Sequence, residues 1–189
     1  MATSKMLPEG AMLGVWAHPD DETYLSAGLM ADAARRGQRV VCVTATRGEE
    51  GSWDEERWPT SEMGRVREAE MMASLQVLGV TEHHWLDYYD GTCKDVPSDE
   101  GVGRVRSIME EISPRSVFTF GPDGMTGHDD HKAVCAWTTE AFERAAPIGA
   151  IGRSTVAHKM PSRSWRTNRC DVSGGDDCAK LLDRRELAR

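Results

Sequence analysis

No apolar run in this 189-residue chain approaches the ~20 residues that a helix needs to cross a bilayer. The amino-terminal stretch MATSKMLPEG holds no apolar signal core, so the expected location is the cytoplasm, with no membrane span. Positive charge is also short: 23 Lys and Arg against 31 Asp and Glu leave a net charge of -8. Nucleic-acid binding calls for a basic face, so small, neutral or metal-bound substrates are favoured and no nucleic-acid partner is expected. The five cysteines, Cys42, Cys93, Cys135, Cys170 and Cys178, are odd in number and form no CxxC pair. Neither a disulfide framework nor a zinc ribbon is indicated, which leaves free thiols. There is no internal repeat or low-complexity tract. A Gly-x-Gly-x-x-Gly turn after the first apolar run is missing too, and the carboxylates standing in its place would repel a pyrophosphate. That argues against a nucleotide-binding oxidoreductase.

What is present alternates. A short apolar run at 12–17 (MLGVWA) is followed by a helical pattern with Leu25, Leu29 and Ala33 in phase and a stop at Gly37. The β-branched run QRVVCVTATRG reads as a buried strand. In SEMGRVREAEMMASLQVLGV the spacing predicts a helix with Val66, Ala69, Ala73 and Val77 on one face and Gly79 as its C-cap. A strand at HHWLDY, a helix ended by Ser-Pro at DEGVGRVRSIMEEISPRS, a strand at VFTF and a helix at HKAVCAWTTEAFERAA complete the series. Such alternation implies an α/β fold, a mostly parallel sheet covered on both faces, with sites at the carboxyl ends of its strands. HPDDE and GPDGMTGHDDH each follow a strand candidate and should emerge on one rim. From about residue 148 the chain turns polar and arginine-rich, with one short helix expected over Asp177 to Leu187 and no core role assigned. The working division is a domain over residues 1–150 and a divergent polar segment over 151–189.

The chemistry is concentrated in those two motifs. His18 and Asp21 lie three apart in a turn whose course Pro19 partly fixes, and an imidazole with a carboxylate suits a first-row metal. GHDDH offers a third ligand: of His128 and His131, one would ligate while the other faces substrate. Three protein ligands with one open position describe a catalytic rather than a structural zinc site. Metal-bound water has its pKa lowered to about 7, and a carboxylate beside it can move the proton. Asp20 is the candidate base, the remaining histidine can stabilise an oxyanion, and Asp130 can orient it.

AHPDDE together with GHDDH resembles the zinc-dependent N-acetylglucosaminyl deacetylase family of LmbE-like and PIG-L-like proteins. TRGEEG is similar to that family's T-x-G-E-x-G loop, and MGRVREAE to its LG-x-x-R-x-x-E helix, with Met63 in place of leucine. The resemblance spans about residues 12 to 145 and implies a Rossmann-like three-layer α/β sandwich. It implies His18, Asp21 and His131 as zinc ligands, Asp20 as general base, and His128 in the oxyanion or general-acid role with Asp130 in support. It further implies substrate contacts from Arg67 and Asp90, and a rim position for Glu49. The expected reaction is hydrolysis of the acetamide of a small N-acetylated amino-sugar conjugate, with one zinc per chain. A His2Asp site accepts iron as well.

Blander readings stand beside these. Asp20 could also cap the following helix, which does not exclude catalysis, Arg67 could pair on the helix surface with Glu70 or nearby acids, and Trp53 and Trp58 serve equally as loop packing or as a sugar platform. His83, His84 and His158 read as structural. The alternative function is a family member that binds metal without a completed substrate cleft. The acceptor attached to the sugar is left open, as is assembly into a homo-oligomer.

Overall fold

In the computed structural model of the protein, the described residues are 10–145 and two strands at 155–159 and 165–168. The first strand, β1 (Met12–Trp16), is buried along its whole length, and so is β2 (Val40–Thr44). Strands that are apolar on successive residues suit the middle of a parallel sheet, where both faces are covered. Helix α1 (Asp21–Arg35) joins them and stops before Gly37, whose φ of 76° is a conformation that glycine adopts without strain. Leu25 packs at the margin of the core and Leu29 is half-buried, while Asp21, Glu22, Ser26, Met30 and Ala33 are the buried positions of the helix.

Helix α2 (Thr60–Leu78) ends on Gly79 in the left-handed conformation, as its sequence predicts. Its buried face does not follow the prediction. Met63, Gly64, Met71 and Leu75 turn inward, whereas Val77 is 87% exposed and Ala69 and Ala73 lie at the surface. Both sides of this helix carry apolar residues, and the side with the long Met and Leu side chains reaches the sheet and buries more area.

The remaining elements are β3 (Glu82–Trp85), a 3-10 turn at Cys93–Asp95, α3 (Ser98–Ile112), β4 (Ser116–Phe120), a single turn α4 (Gly124–Gly127) and α5 (Asp129–Ala145). Helices α3 and α5 pack closely: a β-carbon on Gly101 would lie 2.3 Å from the Trp137 ring. The polar carboxyl-terminal stretch, to which the sequence assigned no core role, supplies β5 (Thr155–Lys159) and β6 (Trp165–Asn168) to the sheet. The helix expected over Asp177 to Leu187 lies outside the described residues.

The sheet order is β3-β2-β1-β4-β5-β6, parallel throughout except for β6, which runs antiparallel to β5. The chain therefore moves outward from β1 to β3, then returns to lay β4 on the other side of β1. Ligand sites of open α/β sheets form at such a reversal, beyond the carboxyl ends of the two strands. HPDDE follows β1 and GHDDH follows β4, so the topology brings the two motifs together.

Candidate metal centre

The turn after β1 begins with His18. Its main-chain N–H donates to Asp21 Oδ2 (2.8 Å), which brings the ring and carboxylate of this i, i+3 pair to one side. Across the crevice, His131 is the third residue of α5 and its ring stacks on Phe120 at 4.1 Å between centroids. Its Nδ1 lies 2.9 Å from the Gly124 carbonyl oxygen. A carbonyl accepts only, so Nδ1 carries the hydrogen and the Nε2 lone pair is left facing the crevice.

His131 Nε2 stands 3.1 Å from His18 Nδ1 and 3.5 Å from Asp21 Oδ1, and His18 Nδ1 is 3.6 Å from Asp21 Oδ2. Donor atoms on a tetrahedral ion with bonds of 2.0–2.2 Å stand about 3.3–3.6 Å apart; both imidazole–Asp21 separations match, each through a different carboxylate oxygen, and the imidazole–imidazole one is slightly shorter, so the group is close to the spacing a small divalent cation takes. Nitrogen and oxygen donors of this kind suit a first-row metal. His128 brings a third imidazole, and the ligand atoms of His18, His128 and His131 all lie within 4.8 Å of one another.

Behind His18 lies a buried support. Its Nε2 is 3.0 Å from Asp90 Oδ1 and 3.4 Å from Asp130 Oδ2. Burial disfavours the charged imidazole, but the hydrogen bonds it donates to Asp130, Asp21 and Asp90 outweigh it and lift the His18 pKa to about 11. Burial likewise opposes ionised Asp90 and Asp130, yet the His18 contact and main-chain N–H groups hold both below the ordinary carboxylate range. For His131 burial prevails, and its pKa is lowered, which favours the neutral, ligand-ready ring.

Asp20 sits at the N-cap of α1 with φ 99° and ψ -27°, and its side chain makes no capping bond. Its carboxylate instead meets Arg67 Nη2 at 3.0 Å, and the same nitrogen donates to the Pro19 carbonyl. Arg67 Nη1 reaches the Gly48 carbonyl at 3.3 Å. Burial raises the Asp20 pKa, with Arg67 pulling the other way.

His18, Asp20, Asp21, Arg67, Asp90, His128 and His131 line one cavity of about 300 Å³, together with Glu50, Gly51 and Gly91. The sequence matches the family model described as PIG-L, GlcNAc-PI de-N-acetylase, over residues 13–142. The chain belongs to the PIG-L family.

Among PIG-L relatives, the 1D-myo-inositol 2-acetamido-2-deoxy-alpha-D-glucopyranoside deacetylase of Mycobacterium sp. (strain KMS) is 36% identical over 163 residues. That match covers 75% of this chain and 52% of the relative, so the chain spans about half the length of the curated relatives it matches. The fold is similar to that of the N,N'-diacetylchitobiose deacetylase from Pyrococcus horikoshii, with a TM-score of 0.68 and 24% identity over 79% of this chain and 60% of that one. It is also similar to GalB, the 4-carboxy-2-hydroxymuconate hydratase of Pseudomonas putida KT2440, with a TM-score of 0.65 and 22% identity over 79% of this chain and 65% of that one. One scaffold thus carries two reactions in these neighbours, and the fold by itself does not choose between them.

Three residues named by the PIG-L resemblance have contacts that the sequence did not indicate. Asp130, expected beside His128, is fully buried and aims its carboxylate at the Gly91 and Cys93 N–H groups (2.7 and 3.1 Å) and at His18. Its link to His128 is the main-chain N–H, which donates to His128 Nδ1 at 3.2 Å. Asp90, expected to meet substrate, borders the cavity but is occupied by His18 and by the Glu50 N–H. Glu49 does not line the cavity; it accepts from the Asp90 N–H at 3.2 Å, while Glu50, its neighbour, faces the space. The sequence reading also passed over Glu22. Only its place at the end of HPDDE could have drawn notice.

Proposed function

We propose that this protein is a zinc-dependent N-deacetylase that hydrolyses the acetamide of a small N-acetylglucosamine-type conjugate to acetate and a free amine. The observation that carries the reading is the triangle of His18, Asp21 and His131 donor atoms beside an uncapped, upward-shifted Asp20 in one cavity. The named activity of the curated relatives points the same way. His18, Asp21 and His131 would hold the ion, which when bound supplies Lewis acidity toward the amide carbonyl and lowers the pKa of water.

The chain's own groups divide the rest of the work. Asp20 accepts a proton from the attacking water and returns it to the leaving nitrogen; a carboxylate shifted upward by burial is better matched to that task. Arg67 fixes the Asp20 carboxylate through Nη2. Because His128 Nδ1 accepts the Asp130 N–H, its neutral ring carries hydrogen on Nε2, and this donor serves the oxygen on which negative charge develops. Asp130 and Asp90 hold the His18 ring from behind.

The lining also bears on the substrate. With a divalent ion offsetting Asp21, Arg67 paired with Asp20 and His18 set against Asp90, Glu50 is the lining carboxylate left without a cationic partner among the described residues. A phosphate placed beside it meets repulsion that an uncharged polyhydroxyl group does not. We place the reaction in the cytoplasm, since Cys42, Cys93 and Cys135 are buried free thiols suited to a reducing compartment. Among the described residues no helix is long and apolar enough to cross a membrane.

The test is elemental analysis of the purified protein paired with acetate release from a panel of N-acetylglucosamine conjugates, phosphorylated and not, with and without a chelator. About one zinc per chain, with chelator-sensitive release favouring unphosphorylated conjugates, is the expected result. Iron in place of zinc would correct the metal alone. Metal without release from any conjugate would favour a binding role, and absence of metal would overturn the centre.

A further inference from the structure

Glu22 is a buried carboxylate with 0% exposure, and among the described residues no cationic side chain pairs with it. Burying a carboxylate without a counter-charge is costly, so its retained contacts are informative. One oxygen, Oε2, accepts the main-chain N–H of Asp20 at 3.0 Å. The other, Oε1, accepts the Thr23 hydroxyl at 2.8 Å. Thr23 Oγ1 is in turn 2.8 Å from Ser74 Oγ on α2; with its own hydrogen given to Glu22, it accepts from Ser74.

The N–H that Glu22 holds belongs to a residue in an unusual state. Asp20 has φ 99°, a left-handed conformation that costs a non-glycine residue energy and persists only when its surroundings enforce it. That conformation separates two adjacent carboxylates, turning Asp21 toward the imidazoles and Asp20 toward Arg67. Its own main-chain carbonyl is committed as well, accepting the N–H groups of Thr23 and Tyr24 at the start of α1.

We propose that Glu22 is a positioning residue that pins the left-handed main chain of Asp20, and so aims the Asp20 carboxylate into the cavity. This rests on the reading of Asp20 as the base. The Thr23 and Ser74 hydroxyls extend the clamp to α2, the helix that also carries Arg67, so both groups that govern the Asp20 carboxylate are referred to one helix.

The experiment uses the full chain and a double-mutant cycle with Asp20. Glu22→Ala should lower kcat about 10- to 100-fold, the scale expected for misplacement of a catalytic group by about 1 Å, with KM and metal content unchanged. Glu22→Gln keeps an oxygen acceptor for the Asp20 N–H and should restore most of the rate. In an Asp20→Asn background, Glu22→Ala should cause no further loss. An equal fractional loss in both backgrounds would show that Glu22 acts on stability or on the site at large, and would overturn the proposal. A second readout needs no activity: amide exchange at Asp20 should quicken in Glu22→Ala and stay slow in Glu22→Gln, with the α1 amides beyond Tyr24, which do not donate to the Asp20 carbonyl, unaltered in both. Unchanged exchange at Asp20 in Glu22→Ala would overturn the clamp even in an active enzyme. A wild-type protein without acetate release would refute the deacetylase reading while this arm still decides the clamp.

Discussion

Asp20 and Asp21 are chemically the same and adjacent, yet they face different partners. A mutation at each neighbouring position therefore has a distinct expected outcome. Asp20→Ala should keep its full complement of metal while turnover falls roughly 10²- to 10⁴-fold, the usual range for a general base. Metal analysis beside steady-state kinetics checks this; loss of metal would mean that Asp20 and Asp21 have exchanged roles. His131→Ala removes the ring whose Nε2 completes the donor triangle, and the purified variant should come out without metal. At this scale the sequence discloses which residues carry chemistry, because His, Asp and Glu are rarely gathered at the end of a buried strand without a use. It does not disclose their directions. The left-handed φ of Asp20, the burial of Glu22 and the turn of Asp130 toward His18 depend on what the neighbouring loops place against them.

The loop after β2 and helix α2 form one device through Arg67. Gly48 has φ +68°, and a β-carbon there would lie 2.1 Å from Arg67 Nη1. Gly48→Ala should therefore do two things: cost about 1–2 kcal/mol for the left-handed backbone, read as a lower urea midpoint, and push the guanidinium away from Asp20. Turnover should fall while metal content holds; full activity in this variant would show that Arg67 does not govern the base. Gly48 is legible only as part of TRGEEG, the stretch similar to the family's loop; its reason, room for an arginine 19 positions later, is visible only in three dimensions. The helix face of α2 shows the same limit from another side. With apolar residues around much of its circumference, periodicity alone selected Val66, Ala69, Ala73 and Val77, and only the sheet beneath decides for Met71 and Leu75. The alternation of strands and helices was legible because β1, β2 and β4 are apolar runs set between amphipathic stretches. Strands β5 and β6 were not, because they lie in a polar, arginine-rich stretch without an apolar run.

Across the whole molecule, the candidate ligands come from two segments, His18 and His131 being 113 residues apart, and neither segment offers all three. Binding to the folded state only should stabilise the protein by linkage, about 4 kcal/mol when free metal exceeds its Kd a thousandfold. For a chain of this size that is on the order of 10 °C in Tm. Calorimetry before and after chelation should record the fall, and re-addition of zinc should reverse it; no shift on either step would count against the ligand set. The same separation has a consequence for biosynthesis. At a synthesis rate of about 5–20 residues per second, the His18 half emerges from the ribosome on the order of 10 s before His131 exists. Zinc fingers capture their ion within one short stretch, but on the proposed ligand set a nascent chain would lack the third ligand until the start of α5 has followed β4 into place beside β1. Metal loading would then mark the end of this domain's long-range closure, and the growing chain would be spared a tight grip on metal before its sheet can form.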